Sequence, residues 1–179
     1  MTRGRRSKGV LGRAVAALAL LALAGCTATP AARNGADSLT FVVVRHAEKL
    51  DDSSDPPLSS AGQTRARRLA ALLDDAPLAA IYSTDLQRTR QTVAPAAASH
   101  RLQVRLYDAR EPAAAFAARL RATHASDTVL VAGHSNTVPA IVAALCSCEV
   151  SAMPETEFDR ISTVRVDAQG RARLETSRY

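Results

Sequence analysis

The chain has 179 residues, 47% of them apolar, which is enough for one domain with a sizeable core. Aromatic residues make up only 3% and Trp is absent, so that core must be aliphatic, built from Ala, Leu and Val. The formal charge of +6 would suit nucleic acid or an anionic membrane, but residues 1–25 hold five of the 23 basic residues (Arg3, Arg5, Arg6, Lys8, Arg13) and none of the 17 acidic ones, so the remainder carries 18 against 17 and no nucleic-acid partner is expected.

The basic leader has the parts of a secretory signal. A positive stretch from Arg3 to Arg13 precedes the apolar run Ala14–Ala24, which is followed by small residues. That run is too short to span a bilayer, for which about 20 residues are needed. Its end, Leu23-Ala24-Gly25-Cys26, resembles the lipobox of bacterial lipoproteins. The resemblance implies cleavage before Cys26, with diacylglycerol on its sulfur. Thr27, where Asp would retain the protein, resembles lipoproteins released to the outer membrane. The expected organisation is therefore a signal peptide over 1–25, a lipidated tether over 26–38 and one domain over 39–179, anchored in the bacterial envelope and facing the periplasm. Cys146 and Cys148 would then lie in an oxidising compartment. Their Cys-x-Cys spacing is tight for a disulfide and lacks the two-residue gap of zinc or thioredoxin sites, so a structural pair near a helix end is expected.

Along the domain, Leu39–Val44 reads as a buried strand and Lys49–Pro57 as a loop. Ser60 stands three residues before Gln63, a capping-box spacing, and the helix it opens carries Ala66, Leu69, Ala70 and Leu73 on one face. A strand over Ala79–Tyr82 leads into a helix opening at Ser83-Thr84-Asp85, where Thr84 and Gln87 again have capping-box spacing and Pro95 should stop or kink the helix. A third strand, Gln103–Tyr107, precedes a helix from Pro112 to near Thr123, with Glu111 as its expected cap. A fourth, Thr128–Val131, precedes a helix capped by Asn136 that buries Val138, Ile141, Val142 and Leu145. Ile161–Val166 and Ala172–Glu175 read as a terminal hairpin turned through Asp167–Gly170.

Two strands end abruptly in histidines. Arg45 and His46 follow the first, His134 follows the fourth, and Arg88 lies just after the second. Ligands collect past the carboxyl ends of strands in open α/β sheets. Arginine forks match phosphate oxygens, and a neutral imidazole can take a phosphoryl group onto nitrogen. A metal would need a third ligand, and His100 and His124 sit elsewhere, so neither metal nor cofactor is expected. The pattern points to an anion pocket.

These residues resemble the histidine phosphatases related to phosphoglycerate mutases. Arg45-His46-Ala47-Glu48 resembles the family's Arg-His-Gly signature in its Arg-His-Ala-Glu form. Leu58-Ser59 with Gly62 resembles its leucine-Ser/Thr-x-x-glycine segment. Tyr82 to Thr92 resembles the block that carries a phosphate-binding arginine, and Gly133-His134-Ser135-Asn136 the segment of the second catalytic histidine. The resemblance implies a three-layer α/β/α sandwich with a mostly parallel central sheet. It implies His46 as the nucleophile that becomes phosphohistidine, with Arg45, Arg88 and His134 holding the phosphoryl oxygens. Many relatives place a glutamate after the third strand as general acid. Here Asp108 is nearest that strand end and is the expected acid, with Glu111 the alternative. Glu48 either orients a neighbouring arginine or faces solvent.

The expected activity is hydrolysis of a phosphomonoester or phosphoprotein. Mutase activity is disfavoured, since mutases in this family carry extra segments around the pocket. A non-catalytic anion-binding lipoprotein is the competing non-enzyme reading.

Overall fold

A computed structural model describes residues 38–179. The leader, Cys26 and nearly all of the tether lie outside the described residues, and no described helix is long and apolar enough to cross a membrane.

Ten elements follow in chain order: β1 (Leu39–Arg45), α1 (Ser60–Leu72), β2 (Leu78–Thr84), α2 (Gln87–His100), β3 (Val104–Tyr107), α3 (Ala113–Thr123), β4 (Thr128–Gly133), α4 (Val138–Cys146), β5 (Arg160–Val166) and β6 (Ala172–Arg178). The strands form one sheet in the order β3-β2-β4-β1-β5-β6. The first four are parallel, and the terminal hairpin adds β5 antiparallel to β1.

Strand alternation sorts the core into two halves. Phe41 and Val43 of β1, with Val129 and Val131 of β4, pack against Phe116, Leu120, Ile141 and Leu145 of α3 and α4. Val42 and Val44, with Leu130 and Ala132, face the other way onto Leu69, Val93 and Ala96 of α1 and α2. Both faces of the central strands β1 and β4 are covered, which is why those strands are nearly continuous apolar runs. Each such Val, Leu, Ile or Phe side chain contributes about 1.5–3 kcal/mol by leaving water. The expected three-layer sandwich is the observed one.

The element ends differ from expectation in instructive ways. Ser59, one residue earlier than expected, caps α1 by accepting from the Gly62 amide at 3.1 Å. β2 continues to Thr84 because Ser83 and Thr84 pair with Ala132 and Tyr107, so Thr84 is a strand residue and caps nothing. The first turn of α2 is instead served from a distance: the Gln87 amide donates to Asp55 Oδ1 at 2.7 Å. Pro95 lies inside α2 and does not end it. Pro95 itself is half-buried, while Val93, Ala96 and Ala97 are buried and hold the helix to the sheet. Pro112, not Glu111, borders α3, and Thr137, not Asn136, borders α4. Cys146 and Cys148 form a disulfide despite their tight spacing, at the C-terminal end of α4.

Candidate active site

β2, β4 and β1 are neighbours in the sheet, so their carboxyl ends bring Thr84, His134, Arg45 and His46 together. A cavity of about 480 Å³ opens there, lined by Arg45, His46, Arg88, His134 and Glu155 among others. The two imidazoles lie with ring centroids 5.4 Å apart in an edge-on arrangement. Four of the sequence-predicted site residues therefore meet in one cleft.

His46 is held by its own backbone. Its amide donates to the Gly133 carbonyl at 2.9 Å, and its Nδ1 lies 2.8 Å from the Ala47 carbonyl. A carbonyl can only accept, so Nδ1 carries the proton and Nε2 presents a lone pair. The Ala47 peptide is clamped in turn, because its amide donates to Thr92 Oγ1 at 2.8 Å. Burial foremost, opposed by the Ala47 hydrogen bond and reinforced by His134, Arg45 and Arg88, lowers the His46 pKa to about 4. Burial, more than the neighbouring positive charge, is the main cause of this fall.

His134 is fixed by a chain of hydroxyls. Its Nε2 is 3.0 Å from Thr84 Oγ1, which is 2.7 Å from Thr89 Oγ1. Thr89 also reaches the Leu86 carbonyl at 2.9 Å, an acceptor only, so the chain is satisfied when His134 Nε2–H donates to Thr84. Burial first, then Arg88 and Arg45, lowers its pKa to about 4 as well.

The block after β2 works through helical spacing. Arg88, Gln91 and Thr92 fall at i, i+3 and i+4 and share one face of α2. Arg88 reaches the cleft, the Gln91 carboxamide accepts from the Leu58 amide at 2.8 Å, and Thr92 holds Ala47. Arg88 has no ion pair or side-chain hydrogen bond among the described residues, whereas Arg90 is exposed and paired with Asp85 at 2.9 Å. That leaves the Arg88 guanidinium open to an anion.

Glu48 turns away from the cleft. Its carboxylate takes a forked contact from Arg65 of α1, with Nη2 at 2.6 Å and Nε at 3.0 Å, so it orients an arginine. Although burial works to raise its pKa, the Arg65 hydrogen bonds outweigh it and the net shift is downward. The acids of the 49–57 loop are each engaged: Asp51 with Ser53, Asp52 with Lys49, and Asp55 with the distant α2.

The expected general acid does not reach this site. Asp108 is exposed, does not line the cleft, and is held by Arg110 through a forked contact at 3.0–3.1 Å. The Arg110 hydrogen bonds hold its pKa below the ordinary value, against the chemistry of a proton donor. Glu111 pairs with Arg119 at 2.6 Å beside a separate, smaller cavity. The carboxylate that does line the cleft is Glu155, in the segment between α4 and β5. Arg45 Nη1 donates to the carbonyls of Pro154, Glu155 and Glu157, Nη2 donates to Glu155 Oε2, and Phe158 stacks 4.2 Å from the guanidinium carbon. Sequence reasoning missed Glu155 and Thr84. The signal for Glu155 was topological: β5 runs antiparallel to β1 with Ile161 opposite Val44, so the residues before β5 must lie beside Arg45.

Among the described residues no cluster of three or more His, Cys, Asp or Glu side chains could hold a metal ion. Residues 41–111 match the model of the histidine phosphatase superfamily (branch 1). No curated protein matches the sequence. Among solved structures, the chain is similar to the protein histidine phosphatase SixA complexed with tungstate, with 22% identity, a TM-score of 0.65, and 78% of this chain and 96% of that one covered. It is also similar to a mycobacterial glucosyl-3-phosphoglycerate phosphatase, with 20% identity, a TM-score of 0.61, and 79% and 99% covered.

Proposed function

We propose that this chain, whose residues 41–111 match the histidine phosphatase superfamily model, is a member of that superfamily and hydrolyses a phosphomonoester or a phosphoprotein through a phosphohistidine at His46. The observation that carries the reading is the contact of His46 Nδ1 with the Ala47 carbonyl: it commits the proton to Nδ1 and leaves Nε2 of a cleft-lining imidazole as an unprotonated nucleophile. Its lone pair attacks phosphorus, the bond from phosphorus to the leaving atom breaks, and the electron pair departs with that atom. The imidazolium so formed is stabilised by the Ala47 carbonyl. Arg88 and Arg45 balance the charge spread over the phosphoryl oxygens, without reorganising as it develops. Water then attacks the phosphorus of phosphohistidine, releasing inorganic phosphate and restoring His46.

The cleft narrows the class of substrate. Among the described residues only Glu155 brings a carboxyl group to it. Its hydrogen bond from Ser135 is the largest influence, and with Arg45 it holds the pKa below the ordinary value despite some burial. A site without a protonated acid favours leaving groups that depart without a proton, such as aryl phosphates and the phosphoramidates of phosphohistidine proteins. The similarity to a protein histidine phosphatase supports that direction. Asp108→Asn is accordingly expected to leave kcat/KM within about twofold on both p-nitrophenyl phosphate and an alkyl phosphate. General acids are typically worth ~10²–10⁴-fold. A loss of that size confined to the alkyl phosphate would restore Asp108 as the acid.

The lipid anchor is part of the same proposal. It rests on Leu23-Ala24-Gly25-Cys26, and the Cys146–Cys148 disulfide supports an oxidising compartment. Labelled fatty acid should be incorporated in a bacterial host and lost in Cys26→Ser. A Cys26→Ser protein that still labels and fractionates with membranes would remove the anchor from the reading.

A further inference from the structure

Glu155 lines the cleft but takes no step in the proposed hydrolysis. Its carboxylate bridges two groups that line the cleft, Arg45 Nη2 at 2.7 Å and Ser135 Oγ at 2.5 Å. Bridging donors of this kind are what a phosphoryl oxygen would seek. Yet the side chain is 80% exposed, while that of Arg45 is only 3% exposed.

The rest of the guanidinium is only partly engaged. Nη1 serves three backbone carbonyls at 2.8–3.1 Å, and the buried Nε has no partner in the described structure. An arginine has five N–H donors in a fixed fork, and of the partners Arg45 now has, the exposed Glu155 carboxylate on Nη2 is the one most readily exchanged for a ligand. The backbone contacts are independent of that side chain: the carbonyls of Pro154, Glu155 and Glu157 would keep Arg45 in place with the carboxylate gone.

We infer that Glu155 is an anion gate, a carboxylate that holds the phosphoryl position on Arg45 and Ser135 until a phosphorylated substrate displaces it, and that returns to expel inorganic phosphate. The inference rests on the phosphatase reading of the cleft. Displacement needs only side-chain rotation into solvent, since the backbone at residue 155 is tied to Arg45 by its own carbonyl. The gate lowers the affinity for every phosphate ester alike, because it competes for the shared group. It also opposes product inhibition. Ser135 at the opposite end of the bridge explains why the carboxylate points into the cleft at all, given how exposed it is.

The test compares the full wild-type chain with Glu155→Gln, reading inhibition by inorganic phosphate against p-nitrophenyl phosphate turnover. The amide keeps the shape but loses the charge that competes with phosphate. The inhibition constant for inorganic phosphate should fall roughly fivefold, and KM with it, the scale expected of removing one exposed ionic partner. The unfolding midpoint should hardly move. An unchanged or raised inhibition constant overturns the gate. So does a kcat loss restricted to poor leaving groups, which would make Glu155 the proton donor. If phosphate inhibits neither protein and His46 takes no label, the phosphatase reading itself falls, and the gate with it. Wild type that binds phosphate beside a Glu155→Gln protein that binds it no better sinks the gate alone.

Discussion

His46→Ala is expected to abolish turnover of p-nitrophenyl phosphate, by at least roughly 10⁴-fold, as removal of a covalent nucleophile does. The reason is geometric: on the proposed reading His46 attacks through Nε2, since its Nδ1 is committed to the Ala47 carbonyl, while His134 Nε2 is turned onto Thr84. Acid-quenched wild type should carry acid-labile, base-stable phosphate, and His46→Ala none. The same residue fixes the acid limb of the wild-type enzyme. Its pKa is lowered to about 4 in the folded state, so the nucleophile stays unprotonated well below the ordinary ~6.5. After correction for ionisation of the substrate, kcat/KM should hold down to about pH 5 and fall as the pH approaches about 4. Stability follows the opposite member of the same linkage. Between about pH 6.5 and 4 the unfolded chain takes up protons on His46 and His134 that the native state refuses, so stability is full above that window and declines through it. Retained turnover in His46→Ala, or an acid limb at pH 6.5 assigned to the nucleophile, would contradict the assignment.

Gly62→Ala should destabilise the domain by about 1–3 kcal/mol, the range for overpacking. A methyl at position 62 would lie 2.2 Å from the Glu48 carbonyl oxygen and 3.0 Å from its amide nitrogen. Both are backbone. The carbonyl is held there by the Ser59 amide at 2.9 Å and the Ser59 hydroxyl at 3.2 Å. Relief would require residues 46–48 to shift, and the Ala47 carbonyl that sets the His46 tautomer lies in that stretch. The variant should therefore lose turnover beyond what its fraction folded explains. Denaturant unfolding together with kcat at a temperature well below the transition checks both parts. Alanine is intrinsically favoured over glycine in a helix by roughly 1 kcal/mol, so an unchanged or raised midpoint would show that the close approach costs nothing. The glycine of the Leu58-Ser59-x-x-Gly62 segment is thus a packing requirement of the nucleophile's loop.

Much of this molecule was legible in the chain because the relevant forces act over a few residues. The apolar run Phe41–Val44 announced a strand buried on both faces, and the sheet packs a helical layer onto each. The spacing of Arg88, Gln91 and Thr92 is a helical face, readable as soon as α2 is assigned. Histidines at strand ends placed the cleft before any coordinate did. What the chain by itself left open was every partner separated by a long stretch of sequence. Asp55 serves the first turn of α2 from 32 residues away, Thr84 meets His134 across 50, and Glu155 meets Arg45 across 110. Local propensity marked Thr84 as a cap and Asp108 as an acid, since each had the right residue type near the right element end. Tertiary structure decided otherwise. Strand pairing with β3 and β4 carried β2 on through Thr84, and the antiparallel return of β5 beside β1 delivered Glu155, in place of Asp108, to the cleft. Local sequence determined which elements form and where their reactive ends lie, because hydrogen-bond period and burial are set residue by residue. Which carboxylate faces the nucleophile depended on which strands become neighbours, and that is settled only when the whole sheet assembles.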